Sequence, residues 1–503
     1  MTSYYALAMG GSGSRCIESL IYLCAAGLGP PGKLTLVFID PDRSNFSLSQ
    51  SLRLAEVYTA LQKVRRGEGC AYCATEIEGS SPRSWSPFGD QQIEPSLGRF
   101  FHYDVMRNIS PADADLFDVL YTYEQRKANL HVGFRGRPSI GAAIFGAKAD
   151  PDHEEPWRAL SDRISGESQG AEVRMFSFGS LFGGTGAAGL PTIPRMLCRR
   201  PDPVTGLLAA RNENVYTGAS LLLPYFSLPA PQNVAQGDVF AHADQFLLNA
   251  REALRYYADC NPDFNRVYVI GADSPVMQRA FEIGGERQSN LPSYIELLAA
   301  LGCRDFFQRQ DLHGSEVAII GRGDVRSIVW ADLPESGTIR RALGQLTRVA
   351  FAYLKLFYPW LKEMTSMEHG WYWTFPRRRA WYQDLFERRG VSLNDPEIQT
   401  SIEEQREFFI RYLGWLRDLH SGNGGHDGFR VNLADSTAFS RPESPDGLAD
   451  EKFGRLLDEG GRVVLTLEAL LRRMADAPAP RVKGAHGFGY FQRALFEACA
   501  EVH

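Results

Sequence analysis

Two glycine clusters stand directly after apolar segments and before segments of helical periodicity, a position suited to binding phosphate. The first runs from Gly10 to Arg15 and the second from Gly179 to Gly189. Glycine lets the backbone approach an anion closely, and the N-terminus of the following helix adds N–H donors and a favourable dipole. One such cluster is more often a tight turn, but two in the same half of a chain predict a shared polyphosphate site.

Common phosphate-binding motifs fit these clusters poorly. A Walker loop has Gly-Lys-Ser or Gly-Lys-Thr after its glycines, and neither cluster contains that tripeptide. A dinucleotide fingerprint has a third glycine three residues after the second; counted from Gly11 and Gly13, that position holds Cys16. Asp40, however, ends the second apolar segment, where a ribose-binding acid would stand. A P-loop NTPase is therefore disfavoured, whereas a Rossmann-type NAD or FAD oxidoreductase stays open as an alternative.

The elements that must position these loops alternate along the first half of the chain. Short apolar runs alternate with helical periodicity, which predicts a doubly wound, mostly parallel sheet with helices on both faces. The predicted strands are 4–9, 33–39, 130–133, 173–178, 219–223 and 267–270. Ligands of such sheets bind at the carboxyl ends of the strands, so we expect the two clusters to meet there.

Residues that typically start helices or form turns predict further elements. Pro292 predicts a helix that starts near Ser289 and holds the proline in its first turn, and Ser139 is expected to cap another helix. The stretch 66–110 is rich in Gly, Ser and Pro and predicts a loop or insertion. After about residue 310 the runs 317–320 and 327–330 predict a small hairpin. The rest is predicted to be mainly helical, at 338–362, 401–419, 450–475 and 489–500.

Length and composition are those of an ordinary globular protein. The chain has 503 residues, 44% of them hydrophobic, and a net charge of −6, which indicates neither a nucleic acid nor an anionic membrane as partner. No apolar run reaches the roughly 18 residues of a membrane span, and the start of the chain lacks the features of a signal peptide. We expect a cytoplasmic protein with eight reduced cysteines. Cys70 and Cys73 have metal-like spacing but make only half of a zinc site, so no metal-binding residues are predicted.

The run Gly183-Gly184-Thr185-Gly186 resembles the signature loop of the tubulin/FtsZ superfamily. The order of the surrounding elements also resembles that superfamily over about residues 1–310, and is most similar to its divergent bacterial tubulin-like members. Phe182 differs from the signature, which has a small residue at that place. Other segments resemble the first, second, third, fifth and sixth nucleotide loops of the family, in this order: 10–15, 40–45, 133–141, 223–226 and 271–273.

The resemblance implies a site for GTP or GDP, with Mg²⁺ bridging the phosphates. Arg135 and Gly136 would approach the γ-phosphate, and Asn290 would contact the base. The full set of expected ligand contacts is Gly10, Gly11, Ser12, Gly13, Ser14, Arg15, Asp40, Arg135, Gly136, Gly183, Gly184, Thr185, Gly186 and Asn290.

Acidic residues after the central helix of the family reach the nucleotide of a neighbouring subunit and orient water. Asp305 and Asp311 stand at that place here, which implies slow GTP hydrolysis to GDP and phosphate at a subunit junction. The structural alternative for Asp305 is an ion pair or cap at the helix end. The implied domains are a nucleotide-binding domain at 1–290 with an insertion at 66–127, a linking helix at 291–310, and a divergent helical domain at 311–503.

Three functions follow from these residues. The first is a GTP-binding protein that assembles with itself, head to tail, into filaments. The second is a nucleotide sensor that does not polymerise and acts with an unidentified protein partner. The third is the Rossmann-type oxidoreductase, which Gly11, Gly13 and Asp40 keep open.

Overall fold

The computed structural model shows how these segments are arranged. It describes residues 2–65, 69–78, 84–89, 95–150, 154–199, 211–227, 245–260, 263–272, 276–277, 290–321, 327–366, 382–383, 385–387, 391–421, 430–433, 456, 465–476 and 487–500. The sixth-loop residue Asp273 and the segment 434–450 lie outside these ranges.

The strands are short and mostly buried. Their bounds are β1 (Ser3–Met9), β2 (Lys33–Ile39), β3 (Glu76–Ile77), β4 (Ser84–Trp85), β5 (Val173–Ser180), β6 (Val215–Leu222), β7 (Phe226–Ser227), β8 (Arg266–Ile270), β9 (Val276–Met277), β10 (Glu316–Ile320), β11 (Ser327–Val329) and β12 (Arg430–Asn432).

Helices follow most of the strands and make up most of the later chain. Their bounds are α1 (Gly10–Ala25), α2 (Phe46–Arg65), α3 (Leu97–Phe100), α4 (Tyr103–Ile109), α5 (Pro111–Leu120), α6 (Tyr123–Lys127), α7 (Pro138–Lys148), α8 (Trp157–Glu167), α9 (Gly184–Cys198), α10 (Phe246–Cys260), α11 (Tyr294–Gln308), α12 (Ser336–Ala352), α13 (Tyr358–Ser366), α14 (Pro396–Ser421), α15 (Leu467–Ala475) and α16 (Gly487–Ala498). A π-helical turn, Tyr353–Phe357, joins α12 to α13.

The main sheet is parallel and has the order β10-β8-β6-β5-β1-β2-β3, with β4 also paired to β2. The chain moves outward from β1 through β2 to β3 on one side of the sheet. It then returns to the other side of β1 and moves outward from β5 through β6 and β8 to β10. The chain direction across the sheet therefore reverses between β1 and β5, which is the position where doubly wound folds bind ligands. The predicted α/β class with a mostly parallel sheet is confirmed.

Strand composition explains why this sheet forms. β1 and β5 are buried along almost their whole length, as expected for central strands covered by helices on both faces. Gly13 permits α1 to lie close on the sheet, because a Cβ at that position would come within 2.7 Å of the Phe178 carbonyl oxygen. Glycine is required there for close helix–strand packing.

The C-terminal helices pack on the helices of the sheet. The ring of Tyr22, on α1, lies 5.9 Å from that of Phe408, 5.3 Å from that of Tyr412 and 5.0 Å from that of Trp415, all on α14. The contacts with Phe408 and Tyr412 are edge-to-face, and aromatic contacts at these distances stabilise a packed interface beyond the area that they bury. The part of this region that the structure describes is mainly helical, as predicted, and its buried aromatic residues share one core with the sheet.

Several local predictions were wrong. The run 130–133 is a turn, because Gly133 donates its N–H to the carbonyl of Leu130, and the segment 97–109, predicted as loop, contains α3 and α4. The predicted hairpin does not form: β10 joins the main sheet beside β8, and β11 pairs in parallel with β12.

Two predicted helix starts also need correction. Ser293 is the N-cap of α11, so Pro292 precedes the helix instead of lying in its first turn. Arg137 is the N-cap of α7 and makes no side-chain cap bond, so Ser139 does not cap it.

Candidate functional site

A cleft opens at the carboxyl ends of β1, β2 and β5, at the point where the chain direction across the sheet reverses. About 950 Å³ of space lies between its walls when the open solvent at its mouth is included. Most of the residues predicted to contact a ligand line it. They are Gly10, Gly11, Ser12, Arg15, Asp40, Arg135, Gly136, Gly183, Gly184, Thr185, Gly186 and Asn290.

The first loop touches both of its neighbours in this cleft. Gly10 has a φ of +75°, and a Cβ placed on it would lie 3.2 Å from the Cβ of Thr185. A Cβ on Gly11 would lie 2.9 Å from Nδ2 of Asn45. The backbone of the first loop (10–15) thus packs against side chains of the second loop (40–45) and of the loop at 183–186, which is called the fourth loop below. Larger residues at Gly10 or Gly11 would push these loops apart.

Two predicted residues of the first loop do not line the cleft. Gly13 is turned to the sheet, where it packs against β5. Ser14 is buried, and its hydroxyl donates to the carbonyl of Gly10 at 3.1 Å. Their local role is to fix the first turn of α1, which in turn sets the position of the N–H groups that face the cleft.

The fourth loop is the N-terminal turn of α9. Gly183 is the N-cap of this helix, in extended conformation and without a capping side chain, so its first N–H groups are donors without a side-chain cap. A Cβ on Gly184 would lie 2.7 Å from Cβ of Phe134, and one on Gly186 would lie 2.4 Å from the carbonyl oxygen of Ser180. Glycine is needed at both places because neighbouring chain fills the space of a side chain.

The third loop reaches the same cleft through an unusual backbone. Gly133, Arg135 and Gly136 have φ angles of +93°, +53° and +68°. Such angles are rare for arginine, and here Nε of Arg135 donates to the carbonyl of Asn129 at 2.9 Å. Asn249, on α10, lies within 3.5 Å of the carbonyls of Gly136 and Phe182 and joins the third loop to the fourth.

Asp40 ends β2 and presents a buried carboxylate to the cleft. Its Oδ1 accepts the N–H of Asp42 at 3.0 Å, whereas its Oδ2 has no hydrogen-bond partner in the described structure. Burial raises the pKa of Asp40 well above its ordinary value, although the N–H of Asp42 acts in the opposite direction. A buried acceptor of this kind is costly unless a ligand hydroxyl, a proton or a cation satisfies it.

Arg15 is held from four sides at one end of the cleft. Its guanidinium donates to Oε1 of Glu296 at 2.5 Å, to the hydroxyl of Tyr225 at 2.7 Å and to that of Ser47 at 3.1 Å; a longer contact, 3.5 Å, reaches Ser12. The hydroxyl of Tyr225 also donates to Oε1 of Glu296 at 2.6 Å. Arg15 is therefore neutralised inside the protein and links the first and fifth loops to α2 and α11.

An aromatic wall beside the fourth loop was not predicted from the sequence. The ring of Phe182 lies 4.8 Å from that of Phe246 and 5.3 Å from that of Phe226, and all three residues line the cleft. The substitution of Phe182 for the small residue of the tubulin/FtsZ signature was the one sequence signal of this wall. Its partners come from α10 and from β7, which no local pattern connects to Phe182.

The two predicted catalytic acids lie at the opposite end of α11 from Asn290. Asp305 forms an ion pair with Nε of Arg309 at 2.8 Å and accepts the hydroxyl of Tyr268. Oδ1 of Asp311 accepts the N–H of His313 at 3.1 Å. The structure therefore does not bring these acids to the cleft of the same chain, and the ion pair expected as the structural role of Asp305 is present.

Across the residues that the structure describes, no group of three or more His, Cys, Asp or Glu side chains is placed to hold a metal ion. None of the described helices combines the length and the apolar character needed to cross a bilayer.

Comparisons with other proteins give no family assignment. No protein-family model and no curated protein sequence matches the chain. One solved structure with partial similarity is the crystal structure of an uncharacterized protein from Pseudomonas aeruginosa, at 11% identity over 89% of this chain and 74% of that chain. Its TM-score is 0.17, a value too low to support any statement on fold or function.

Proposed function

We propose that this chain binds a guanine nucleotide in the cleft at the carboxyl ends of β1 and β5, in the manner of the tubulin/FtsZ superfamily. The main support is the contact between Gly10 and Thr185, because it joins two glycine loops that the sequence separates by more than 170 residues. Both loops run directly into helices, α1 and α9. Two helix N-termini that converge on one cleft form a strong anion site.

The other loops favour a triphosphate over a single phosphate group. The backbone of 133–136 also lines the cleft and carries Arg135, a cation suited to phosphate oxygens. Asn290, just before α11, and the rings of Phe226 and Phe246 line the remaining wall. Glycine backbone for phosphates and an aromatic wall with a carboxamide for a base form a nucleotide-shaped set of contacts.

Magnesium fits this proposal through Asp40. Mg²⁺ in nucleotide sites is held by one or two carboxylates together with phosphate oxygens, and Oδ2 of Asp40 is a buried acceptor without a protein partner. The ion would neutralise charge between the phosphates. The carboxylate of Asp40 would bind the cation, and this would offset the free-energy cost of burying its negative charge.

Head-to-tail self-assembly is the second part of the proposal. Asp305 and Asp311 would act at a junction, on the nucleotide of the next subunit, because α11 separates them from the cleft of their own chain. A length of about 1.5 Å per residue places the two ends of this helix about 20 Å apart. Turnover would then require contact between subunits.

The test is the nucleotide content and turnover of the purified chain. Extracted nucleotide is separated by chromatography, and GTP hydrolysis is followed across a protein concentration series. Co-purified guanine nucleotide with specific activity that rises with concentration supports both parts of the proposal. Guanine nucleotide with flat or absent turnover supports a sensor that works with a partner, and Asp305 then loses its catalytic role.

Two results would overturn the nucleotide assignment. One is the failure of GTP and GDP to bind at any accessible concentration. The other is tight binding of NAD or a flavin absorbance in the purified protein, which would favour the Rossmann-type oxidoreductase through Asp40 at the end of β2. Titration with ATP beside GTP measures the base specificity on the same samples.

A further inference from the structure

The hydrogen-bond ladder of α9 is interrupted directly after its first turn. Pro191 and Pro194 lie inside this helix, and a proline has no N–H to donate to the carbonyl four residues earlier. The carbonyl that Pro191 leaves without its usual helix donor is that of Ala187. One of the hydrogen bonds that would join the first turn of α9 to the second is therefore missing.

Tyr257 of α10 supplies the missing donor. Its hydroxyl donates to the carbonyl of Ala187 at 2.8 Å, an ordinary length for a hydrogen bond between two oxygens. Tyr257 and Ala187 are only 6% and 5% exposed, so the carbonyl would be costly to leave without this partner. Burial raises the pKa of Tyr257 well above its ordinary value, and the hydroxyl therefore keeps the proton that it donates.

α10 also contacts the chain just before the fourth loop. The ring of Phe246 lies 4.8 Å from that of Phe182, and Nδ2 of Asn249 lies 3.4 Å from the carbonyl oxygen of Phe182. Phe182 directly precedes Gly183, the N-cap of α9. One helix thus holds both the residue before the fourth loop and the first helical turn after it.

We infer that Tyr257 is a positioning residue of the proposed nucleotide site. Its hydroxyl replaces the hydrogen bond that Pro191 removes, and so it holds the first turn of α9, the turn whose N–H groups have no side-chain cap. The inference rests on the proposed function, since phosphate is the group that these N–H groups would bind. Tyr257 does not line the cleft itself, and it acts on phosphate through Ala187.

Removal of the hydroxyl and replacement of the proline test this role together. Three variants of the full chain are compared with wild type: Tyr257→Phe, Pro191→Ala and the two combined. An alanine at position 191 has an N–H that can donate to the carbonyl of Ala187, so the combined variant regains the bond that Tyr257→Phe loses. The matched control is Tyr256→Phe, which removes the hydroxyl of the neighbouring tyrosine, a residue that is 58% exposed.

Isothermal titration in the presence of Mg²⁺ measures the affinities for GTP and for inorganic triphosphate, well below the temperature of unfolding. Tyr257→Phe should bind both ligands about fivefold more weakly, a factor that corresponds to one hydrogen bond. The combined variant should recover, and Tyr256→Phe should match wild type. A hydroxyl that only stabilised the fold would change the midpoint of thermal unfolding and leave the affinities of the folded protein as they are.

Amide hydrogen exchange of the segment 184–195, read by mass spectrometry on nucleotide-free protein, measures the position of the first turn without any ligand. Exchange should be faster in Tyr257→Phe and return to the wild-type rate in the combined variant. This readout separates a failure of the positioning role from a failure of the nucleotide assignment.

Three results would overturn the inference. They are exchange that Tyr257→Phe does not change, binding of both ligands that it does not weaken, and a loss of affinity that Pro191→Ala does not restore. Exchange that responds as expected, in a wild-type chain that binds neither GTP nor triphosphate, would instead reject the nucleotide assignment alone.

Discussion

Arg15 and Glu296, 281 positions apart in the chain, form a buried ion pair in which Nε of the arginine donates to Oε1 of the glutamate at 2.5 Å. Burial alone would lower the pKa of Arg15, but the carboxylate of Glu296 and the hydroxyl of Tyr225 outweigh it and raise that pKa above its ordinary value. Oε2 of Glu296 accepts the N–H of Ser293 at 2.9 Å. One carboxylate thus fixes both the first glycine loop and the start of α11.

Neutralising this carboxylate is expected to destabilise the protein strongly. Glu296→Gln leaves the charge of Arg15 buried and unbalanced, which costs roughly 3–5 kcal/mol in the free energy of unfolding. Arg15→Met combined with Glu296→Leu removes both charges and should cost less than the single change. Urea unfolding followed by fluorescence measures both. Equal midpoints for wild type and Glu296→Gln would contradict a stabilising role of the pair.

Gly183 offers a way to block the cleft while keeping α9 intact. Aspartate is a favoured N-cap, and a Cβ at this position meets only the hydroxyl oxygen of Ser180, at 2.9 Å. Gly183→Asp should therefore keep the helix, occupy its N–H groups and repel phosphate. We expect nucleotide affinity to fall about a hundredfold or more, a loss of roughly 2.8 kcal/mol.

The matched control for this change is Gly183→Ala, which adds the same Cβ without the charge. Isothermal titration with GTP and Mg²⁺ gives the affinities, and thermal unfolding gives the stabilities. Similar affinities for the two variants would show that the N-terminus of α9 does not contact phosphate, and would remove the fourth loop from the proposed site.

The buried environment of Glu18 predicts that the free energy of unfolding depends on pH. Burial, followed by the nearby Glu296 carboxylate, raises the pKa of Glu18 from 4.5 to about 7, with Arg15 and Arg411 acting in the opposite direction and Asp418 in the same direction. A raised carboxyl pKa in the folded state means that Glu18 stabilises the fold below pH 4.5 and that this contribution is lost as the pH rises through 7. The loss between pH 5 and pH 8 should be roughly 2 kcal/mol.

Glu18→Gln should remove this dependence, because an amide does not ionise. Urea unfolding at pH 5 and pH 8 compares the variant with wild type. The advantage of the variant is expected to grow with pH. A gap that shrinks as the pH rises would mean that Glu18 is ionised in the folded protein at low pH, against the environment seen here.

The roles of the two acids at the end of α11, Asp305 and Asp311, can be distinguished because their contacts differ. Asp311→Ala should lower GTP turnover in concentrated protein and leave the affinity for GTP unchanged, since Asp311 lies outside the cleft of its own chain. Asp305→Ala should do the same and also lower stability by about 1 kcal/mol, through the loss of Arg309 and Tyr268 as partners. Turnover of Asp311→Ala equal to wild type would exclude this residue from catalysis.

Thiol labelling checks the buried environment of the cysteines. Six of the eight are buried, and Cys70 and Cys260 are half-buried. Burial raises the pKa of the Cys24, Cys198 and Cys499 thiols to about 12, and reactivity depends on the thiolate. Iodoacetamide followed by mass spectrometry should modify Cys70 and Cys260 first in the native protein. Early modification of Cys24 would mean that α1 opens readily.

The strands β1, β2 and β8 could be predicted from sequence because each is a mainly apolar run followed directly by a glycine or an aspartate. The prediction for 33–39 was right at both ends, and the other central strands were found within a few residues. The run 130–133 failed for a physical reason. Leu130 is buried, so its apolar character is explained by packing, whereas the positive φ of Gly133 turns the chain.

The hairpin failed because strand pairing is not a local property. Two short apolar runs that are close in sequence pair with each other only when no more favourable strand partner lies nearby in the fold. Here β10 completes the sheet beside β8, while β11 pairs with β12 from a segment about 100 residues later. Loop-closure entropy grows slowly with chain length, so pairing with a distant strand costs little more than pairing with a near one.

The sequence by itself determined which residues end the strands and which loops consist of glycine, since these depend on local sterics and on the spacing of apolar side chains. Only the tertiary structure decided that these loops share one cleft, that Glu296 neutralises Arg15, and that Phe226 and Phe246 form a wall with Phe182. It also turned Gly13 and Ser14 away from the cleft. Side-chain packing and the cost of burying an unpaired charge select such partners. Neither effect can be read from the residues that are adjacent along the chain.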